Sequence, residues 1–328
     1  MSMQRRHAIT RIALAGAMLP ALPLHAAPAS WPQRPVRLQV VYPPGGLSDA
    51  TARTLADLLA PSLGVPVLVE HRPGAGGSLG LDALARAVPD GHTLAFSAIT
   101  PLTLRPLLSR TARAPMRGVV PVASVMHTPV LVVATPAFAG QRFEDLTALA
   151  IARPGALRWA TSGVATAGHM VMAQVQVCIG ARITHVPYQG GGAQLNDALG
   201  GQFELLSTNL AAQQLGYVKS GRLRALAVGA PSRIDVMPDA PTLAELGCGD
   251  ANLGSLFGVF APAHTPAAVV ARLNTEINRA LQSSVMRARL RESHNLVAGG
   301  TPADFQAEID ADLKRNRRLI AGAREQFE

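Results

Sequence analysis

Gly76-Gly77-Ser78-Leu79-Gly80 has the Gly-x-Ser-x-Gly spacing that lifts a hydrolase nucleophile onto a sharp turn. That geometry needs the serine directly after a strand, and Arg72-Pro73-Gly74 separate it from the apolar run ending near Glu70. Ser78 still defines one rival function, a secreted serine hydrolase, which requires a histidine and an acid beside it in space. Gly74-x-Gly76-x-x-x-Gly80 hints at dinucleotide binding, but Asp90 falls in a Pro-Asp-Gly turn instead of at a strand end. No Gly-Lys-Ser/Thr phosphate loop occurs. The nine histidines show no pair at metal-ligand spacing near carboxylates. Neither a metal nor a cofactor is expected.

What remains is a set of glycine- or hydroxyl-rich turns that each lead into a helix: Pro43–Asp49, Pro73–Gly77, Thr161–His169 and Tyr188–Gly192. The first N–H groups of a helix lack intrahelical partners and sit at the positive end of its dipole, so such turns attract anions without a charged side chain. Glycine caps ordinary connections too, and a single turn would carry no weight. Several at the carboxyl ends of strands point to a cleft. No nucleophile or acid–base pair accompanies them, so binding outranks catalysis.

The elements that must position these turns alternate. Val36–Tyr42 reads as a strand, Leu47–Leu63 as a helix capped by Ser48 or Asp49, and Val65–Glu70 as a strand. Leu79–Val88 and Thr93–Ser97 continue the pattern as helix and strand. A second series runs from Val130–Ala134 through Leu157–Thr161, Gly168–Ile179, Ile183–Pro187, Gly192–Leu199 and Glu204–Thr208 to Leu223–Val228. Strand–helix–strand repetition implies parallel α/β layers, here in two lobes. Leu253–Ala261 can return the chain to the first lobe, and the tail is helical. Thr265-Pro266 and Thr301-Pro302 each offer a cap followed by proline, with Asp304 at capping-box distance. The expected lobes are 31–127 with 258–328, and 128–257, joined through the apolar runs Val125–Val132 and Leu253–Phe260.

Composition narrows the classes further. An apolar fraction of 48% with 16% charge excludes a disordered chain. Two cysteines, Cys178 and Cys248, cannot build a zinc-finger array or an iron–sulfur site; they either pair or stay buried and free. The net charge of +9 rests on arginine, since Lys219 and Lys314 are the only lysines. A nucleic-acid surface interleaves basic residues with aromatics. Arg105, Arg110, Arg113 and Arg117 have none among them. They read as a solvated face or a docking surface, and nucleic acid is not an expected partner.

Seven ordered blocks resemble a known family. They include Val40-Val41-Tyr42-Pro43-Pro44-Gly45-Gly46-Leu47-Ser48-Asp49, Glu70-His71-Arg72-Pro73-Gly74-Ala75-Gly76-Gly77, Pro89-Asp90-Gly91-His92-Thr93-Leu94 and His185-Val186-Pro187-Tyr188-Gln189-Gly190. Leu199–Gln202, Leu223–Val228 and Pro238–Thr242 complete the set. The chain resembles the extracytoplasmic solute receptors of tripartite tricarboxylate transporters, the Bug family, from about Trp31 to the final helix. The resemblance implies a two-lobed periplasmic binding protein of the second structural type, with two hinge strands between α/β lobes. It implies a receptor that captures a small carboxylate and delivers it to integral membrane transporter subunits, or informs a signalling partner, as a monomer and without catalysis. Its implied ligand residues in the first lobe are Gly46, Leu47 and Ser48, with Asp49 as organiser of their loop, then Ser97 and Thr100. In the second lobe they are Ser162, Thr166, His169, Tyr188, Gly190, Gly191 and Asn209. The family usually has asparagine where His71 stands, tyrosine at His92, an acidic residue at Thr208 and an acidic pair within Arg110–Gly118.

The first thirty residues read as an address. Arg5, Arg6 and Arg11 precede an apolar run from Ile12 to Leu24, and no acid occurs before Trp31. The run is short of the about 20 residues that a membrane span needs, and small residues follow it from Ala26 to Ser30. This is the order of a cleavable signal over residues 1–29, which places the mature protein in the periplasm. The Arg5-Arg6 pair leaves the twin-arginine and general routes both open. N-terminal sequencing of the exported protein is expected to start near Ala27 or Ser30; an exported protein that retains Met1 overturns the assignment.

Overall fold

The computed structural model describes residues 31–108 and 118–327; the signal segment and the arginines at 110, 113 and 117 lie outside them. β1 (Val36–Val40) buries every residue except Arg37 because it lies between two parallel neighbours, β2 (Val67–His71) and β3 (Thr93–Ala98). Parallel pairing requires crossover helices, supplied by α1 (Leu47–Leu63) and α2 (Ser78–Leu84). α1 buries Leu55, Leu59 and Leu63 at helical spacing and stops where Gly64 turns left-handed at φ 73°. Its span is the one expected from periodicity, but its cap is Gly46, not Ser48 or Asp49.

After the short α3 (Thr100–Thr103) and α4 (Arg105–Leu108), β4 (Val119–Ala134) runs for 16 residues; the sequence marks Val130–Ala134 as a strand and Val125–Val132 as an apolar hinge run, but not the part before Val125. Its first part pairs antiparallel with β9 (Gly254–Pro262); from Val130 onward it pairs with β7 (Leu205–Asn209) and β8 (Arg224–Gly229). The second series holds α5 (Phe143–Ala152), β5 (Arg158–Thr161), α6 (Ala167–Ile179), β6 (Thr184–Pro187), α7 (Gly191–Leu199) and α8 (Ala212–Lys219). β5 lies parallel to both β6 and β7. Strand order along the sheet path is β2-β1-β3-β9-β4-β7-β5-β6. The chain closes with α9 (Ala267–Gln282), α10 (Ser284–Glu292), β10 (Leu296–Val297) and α11 (Pro302–Ala323). Among the described residues no helix is long and apolar enough to cross a membrane.

α11 reaches both series. The Thr301–Asp304 capping box starts it, with Thr301 N donating to Asp304 Oδ2 at 2.8 Å and Asp304 N to Thr301 Oγ1 at 3.1 Å. Phe305 and Ile309 then pack with Val41, Leu81 and Phe260, whereas Leu319 and Ile320 pack with Val130, Trp159 and Val171. Between them Thr103 donates to Asp312 Oδ2 at 2.6 Å, and Gln174 Nε2 donates to the Leu319 carbonyl at 3.1 Å. The two cysteines pair: Cys178 lies in the last turn of α6 and Cys248 precedes β9, with Cα atoms 5.5 Å apart. Closing a loop of 70 residues removes unfolded-state entropy equivalent to about 4 kcal/mol in the chain-entropy model.

The seat of Phe305 is Gly258. A Cβ there would stand 2.3 Å from Phe305 Cζ and 2.6 Å from the Ala123 carbonyl, a backbone atom that cannot step aside. Gly258→Ala is therefore expected to cost about 1–3 kcal/mol by overpacking. Urea unfolding measures it, and an unchanged midpoint would show that α11 does not depend on this seat.

Candidate functional site

α1 begins without any side-chain cap, so the amides of its first turn are left unmatched where the helix dipole is positive. Asp49 does not fill the gap. Its carboxylate turns back to accept the Gly45 N–H at 2.9 Å and meets His71 Nε2 at 2.8 Å and Arg53 Nε at 2.9 Å. Burial pushes the Asp49 carboxyl upward, but those three donors outweigh it and hold it below the usual carboxylate range. Gly45, at φ 84°, carries the left-handed turn that this loop needs; Gly46 lies at φ −93° and needs no glycine for its conformation.

The amides open onto a cavity of about 280 Å³, just below the usual range for ligand pockets. Of the residues expected from sequence, Gly46, Leu47, Ser48 and Thr100 line it from one side, and Ser162, Thr166, Gly190, Gly191 and Asn209 from the other. Four expected residues do not. Asp49 is one of them, and its bonds to Gly45, Arg53 and His71 are those of the loop organiser expected from sequence. Ser97 is fully buried and donates to the Ala98 carbonyl at 2.7 Å. His169 lies beneath the 161–169 loop, and Tyr188 sends its hydroxyl away to Asp197 Oδ2 at 2.6 Å. Tyr42, not expected, also lines the cavity; its Oη accepts the Ala98 N–H at 3.3 Å, and burial pushes its phenol up to about 12.

The four turns meet in pairs, one pair on the cavity wall at Pro43 and Gly190. A Cβ on Gly190 would stand 2.7 Å from Pro43 Cδ, and one on Gly76 2.7 Å from the Val164 carbonyl. Pro43–Asp49 thus abuts Tyr188–Gly192, and Pro73–Gly77 abuts Thr161–His169. Glycine at these seams lets one backbone approach another. Sequence reasoning missed the wall formed by α10, which contributes Arg289, Glu292 and Ser293. Its only signal was a run of arginines, which resembles a solvated helix face.

Ser78 is almost completely buried and donates to the Ala75 carbonyl at 2.8 Å. No histidine bonds to it among the described residues, and it is absent from the cavity wall. The hydroxyl has the bonding of a structural serine. Among the described residues no cluster of His, Cys, Asp or Glu could hold a metal ion.

The loop on the far wall rests on paired histidines. Thr166 caps α6, accepting the His169 N–H at 3.3 Å and donating to the Gly163 carbonyl at 2.8 Å. His169 Nδ1 accepts the N–H of Ala165, which holds a strained φ of 59°. The His169 and His185 rings stack at 4.1 Å, with Phe327 edge-on to His169 at 5.0 Å. Burial, and then the neighbouring His185, push His169 down to about 3; burial pushes His185 down to about 4. Both values lie below that of an unfolded histidine, about 6.5. Their neutral forms therefore contribute fully above that pH, and stability drains as pH falls from there towards the folded values. Unfolding free energy should drop between pH 6.5 and 5 by on the order of 1 kcal/mol per unit for His169. His169→Asn, which keeps an acceptor for Ala165, should flatten that slope in urea titrations; an unchanged slope refutes the assignment.

Known proteins match this architecture. Residues 51–324 fit the family described as tripartite tricarboxylate transporter family receptor. Protein BugT of Bordetella pertussis is 36% identical over 298 residues, covering 88% of this chain and 90% of BugT. An R. palustris protein solved with adipate superposes with a TM-score of 0.84 at 29% identity, covering 90% of this chain and 98% of that one. MatC from Rhodopseudomonas palustris, with bound malate, gives 0.83 at 28% identity, covering 88% and 100%. Uncapped α1 amides, glycine seams and two α/β series on one shared strand are thus parts of a two-lobed type II binding-protein fold, and the chain belongs to the tripartite tricarboxylate transporter receptor, or Bug, family of periplasmic solute-binding proteins.

Proposed function

We propose that this protein is an exported, non-catalytic receptor that closes on a small carboxylate between its lobes and delivers it to integral membrane subunits of a tripartite tricarboxylate-type transporter. The observation that carries this reading is the bare first turn of α1, which opens into a cavity walled by the hydroxyl and glycine loops of the second series. Asp49, the acid nearest those amides in sequence, is withdrawn from the cavity by Gly45, His71 and Arg53. A carboxylate that leaves water can there exchange its hydration for oriented amides and hydroxyls. Adipate and malate in the two related structures are carboxylates of fitting size. The Cys178–Cys248 pair suits an oxidising compartment outside the cytoplasm.

The lobes follow from the pairing. In this reading the first comprises the strands around β1 and the second those around β5, with crossings at Pro129–Val130 in β4 and between Gly229 and Gly254. α11 then spans the hinge as a strap. Motion between lobes opens the seams at Pro43–Gly190 and Gly76–Val164, and binding closes them.

Native mass spectrometry of the mature protein identifies a co-purified acid, and calorimetry with that acid gives its Kd. Ser48→Asp then tests the site. A carboxylate in the first turn suits the α1 dipole, so the fold should hold. It occupies the anion's place and should weaken binding at least a hundredfold, about 2.7 kcal/mol. Wild-type affinity in a folded Ser48→Asp protein would remove the ligand from this helix end.

A further inference from the structure

Arg289 is the only cationic side chain on the cavity wall among the described residues. It lies on α10, which Ser283 caps by accepting the Met286 N–H at 3.2 Å. Met286, Leu290 and Ser293 are buried, at the three- and four-residue spacings that mark one helix face. Arg289 belongs to that inward stripe: it is half-buried, whereas Arg287 and Arg291 are exposed. Ser293, one turn on, also lines the cavity, and its hydroxyl donates to the Arg289 carbonyl at 3.0 Å. α10 packs against α1, the helix whose first turn faces the same cavity.

The guanidinium has no carboxylate partner among the described residues. Glu292, three residues on and exposed, is the only acidic side chain on the wall among the described residues, yet no salt bridge joins the two. A partly desolvated cation held on a rigid helix without a counter-ion is poorly compensated. A guanidinium also presents a fork of donors that matches a carboxylate in two-point contact. The α1 amides supply enough donors for one carboxylate; they supply no whole charge for a second.

We infer that Arg289 forms a second anion subsite, so that the cleft selects dicarboxylates whose far carboxylate reaches α10 over monocarboxylates of equal chain length. This rests on the receptor reading above and adds to it the residue that sets the ligand's charge. Glu292 on the rim gives the same wall a repulsive element that disfavours any acid failing to engage Arg289.

Calorimetry with succinate, glutarate and adipate, each against butyrate, pentanoate and hexanoate, tests this on the mature protein. At least one diacid should bind wild type tenfold or more tightly than its monoacid. Arg289→Gln should erase that preference by weakening the diacid at least tenfold, with circular dichroism and urea unfolding showing the variant to be folded. Arg289→Lys, keeping the charge without the fork, should restore part of it. A preference that survives Arg289→Gln, or diacids and monoacids binding wild type alike, overturns this inference and leaves the receptor reading standing. Wild-type protein that binds no carboxylate removes both.

Discussion

Everything in this fold is arranged around one strand that belongs to two sheets. β4 satisfies its backbone against β9 over its first part and against β7 and β8 over its last five residues. Pro129 sits at the change of partners, where a residue without an N–H can end one ladder before the next begins. Because buried peptide groups must be paired, the change of partner fixes where one layer stops and the other starts. The cavity opens across that junction, and the loops at the carboxyl ends of the parallel strands are brought to it from both sides. α11, anchored in both cores, spans the same junction.

The chemistry of the cavity is that of the backbone more than of side chains. Gly46 offers no cap, so the first amides of α1 remain available. The acid that could have occupied them is held by three donors and kept ionised at a distance from the opening. His71 supplies one of those donors from the strand β2, tying the loop to the neighbouring strand. The far wall shows similar economy: Thr166 is spent on capping α6, while His169 supports the loop from below instead of facing the opening. Hydroxyls and imidazoles that looked like ligand contacts are partly structural, because a loop of glycines and small residues needs outside partners to hold its shape.

Sequence alone determined the alternation of elements, the span of α1, the capping box of α11 and the four turns that would meet. Those signals are local: apolar periodicity, cap chemistry and glycine each act within a few residues. The family and its two-lobed type II fold were also legible, because seven ordered motif blocks constrain a chain far more than any one of them. Tertiary structure alone decided the rest. The first part of β4 reads poorly because its partners lie more than a hundred residues away and its burial comes from them. Ser97, His169 and Tyr188 are missing from the cavity wall because their polar atoms bond Ala98, Ala165 and Asp197, neighbours in the chain that only the folded geometry brings into line, and Asp49 organises its loop through Gly45, Arg53 and the more distant His71. Arg289 joined it because α10 packs on α1 some 240 residues from Gly46 in the chain. Helix type and turn position are short-range properties of residues, whereas which side chains line a cavity depends on the burial and packing that the whole fold imposes on them.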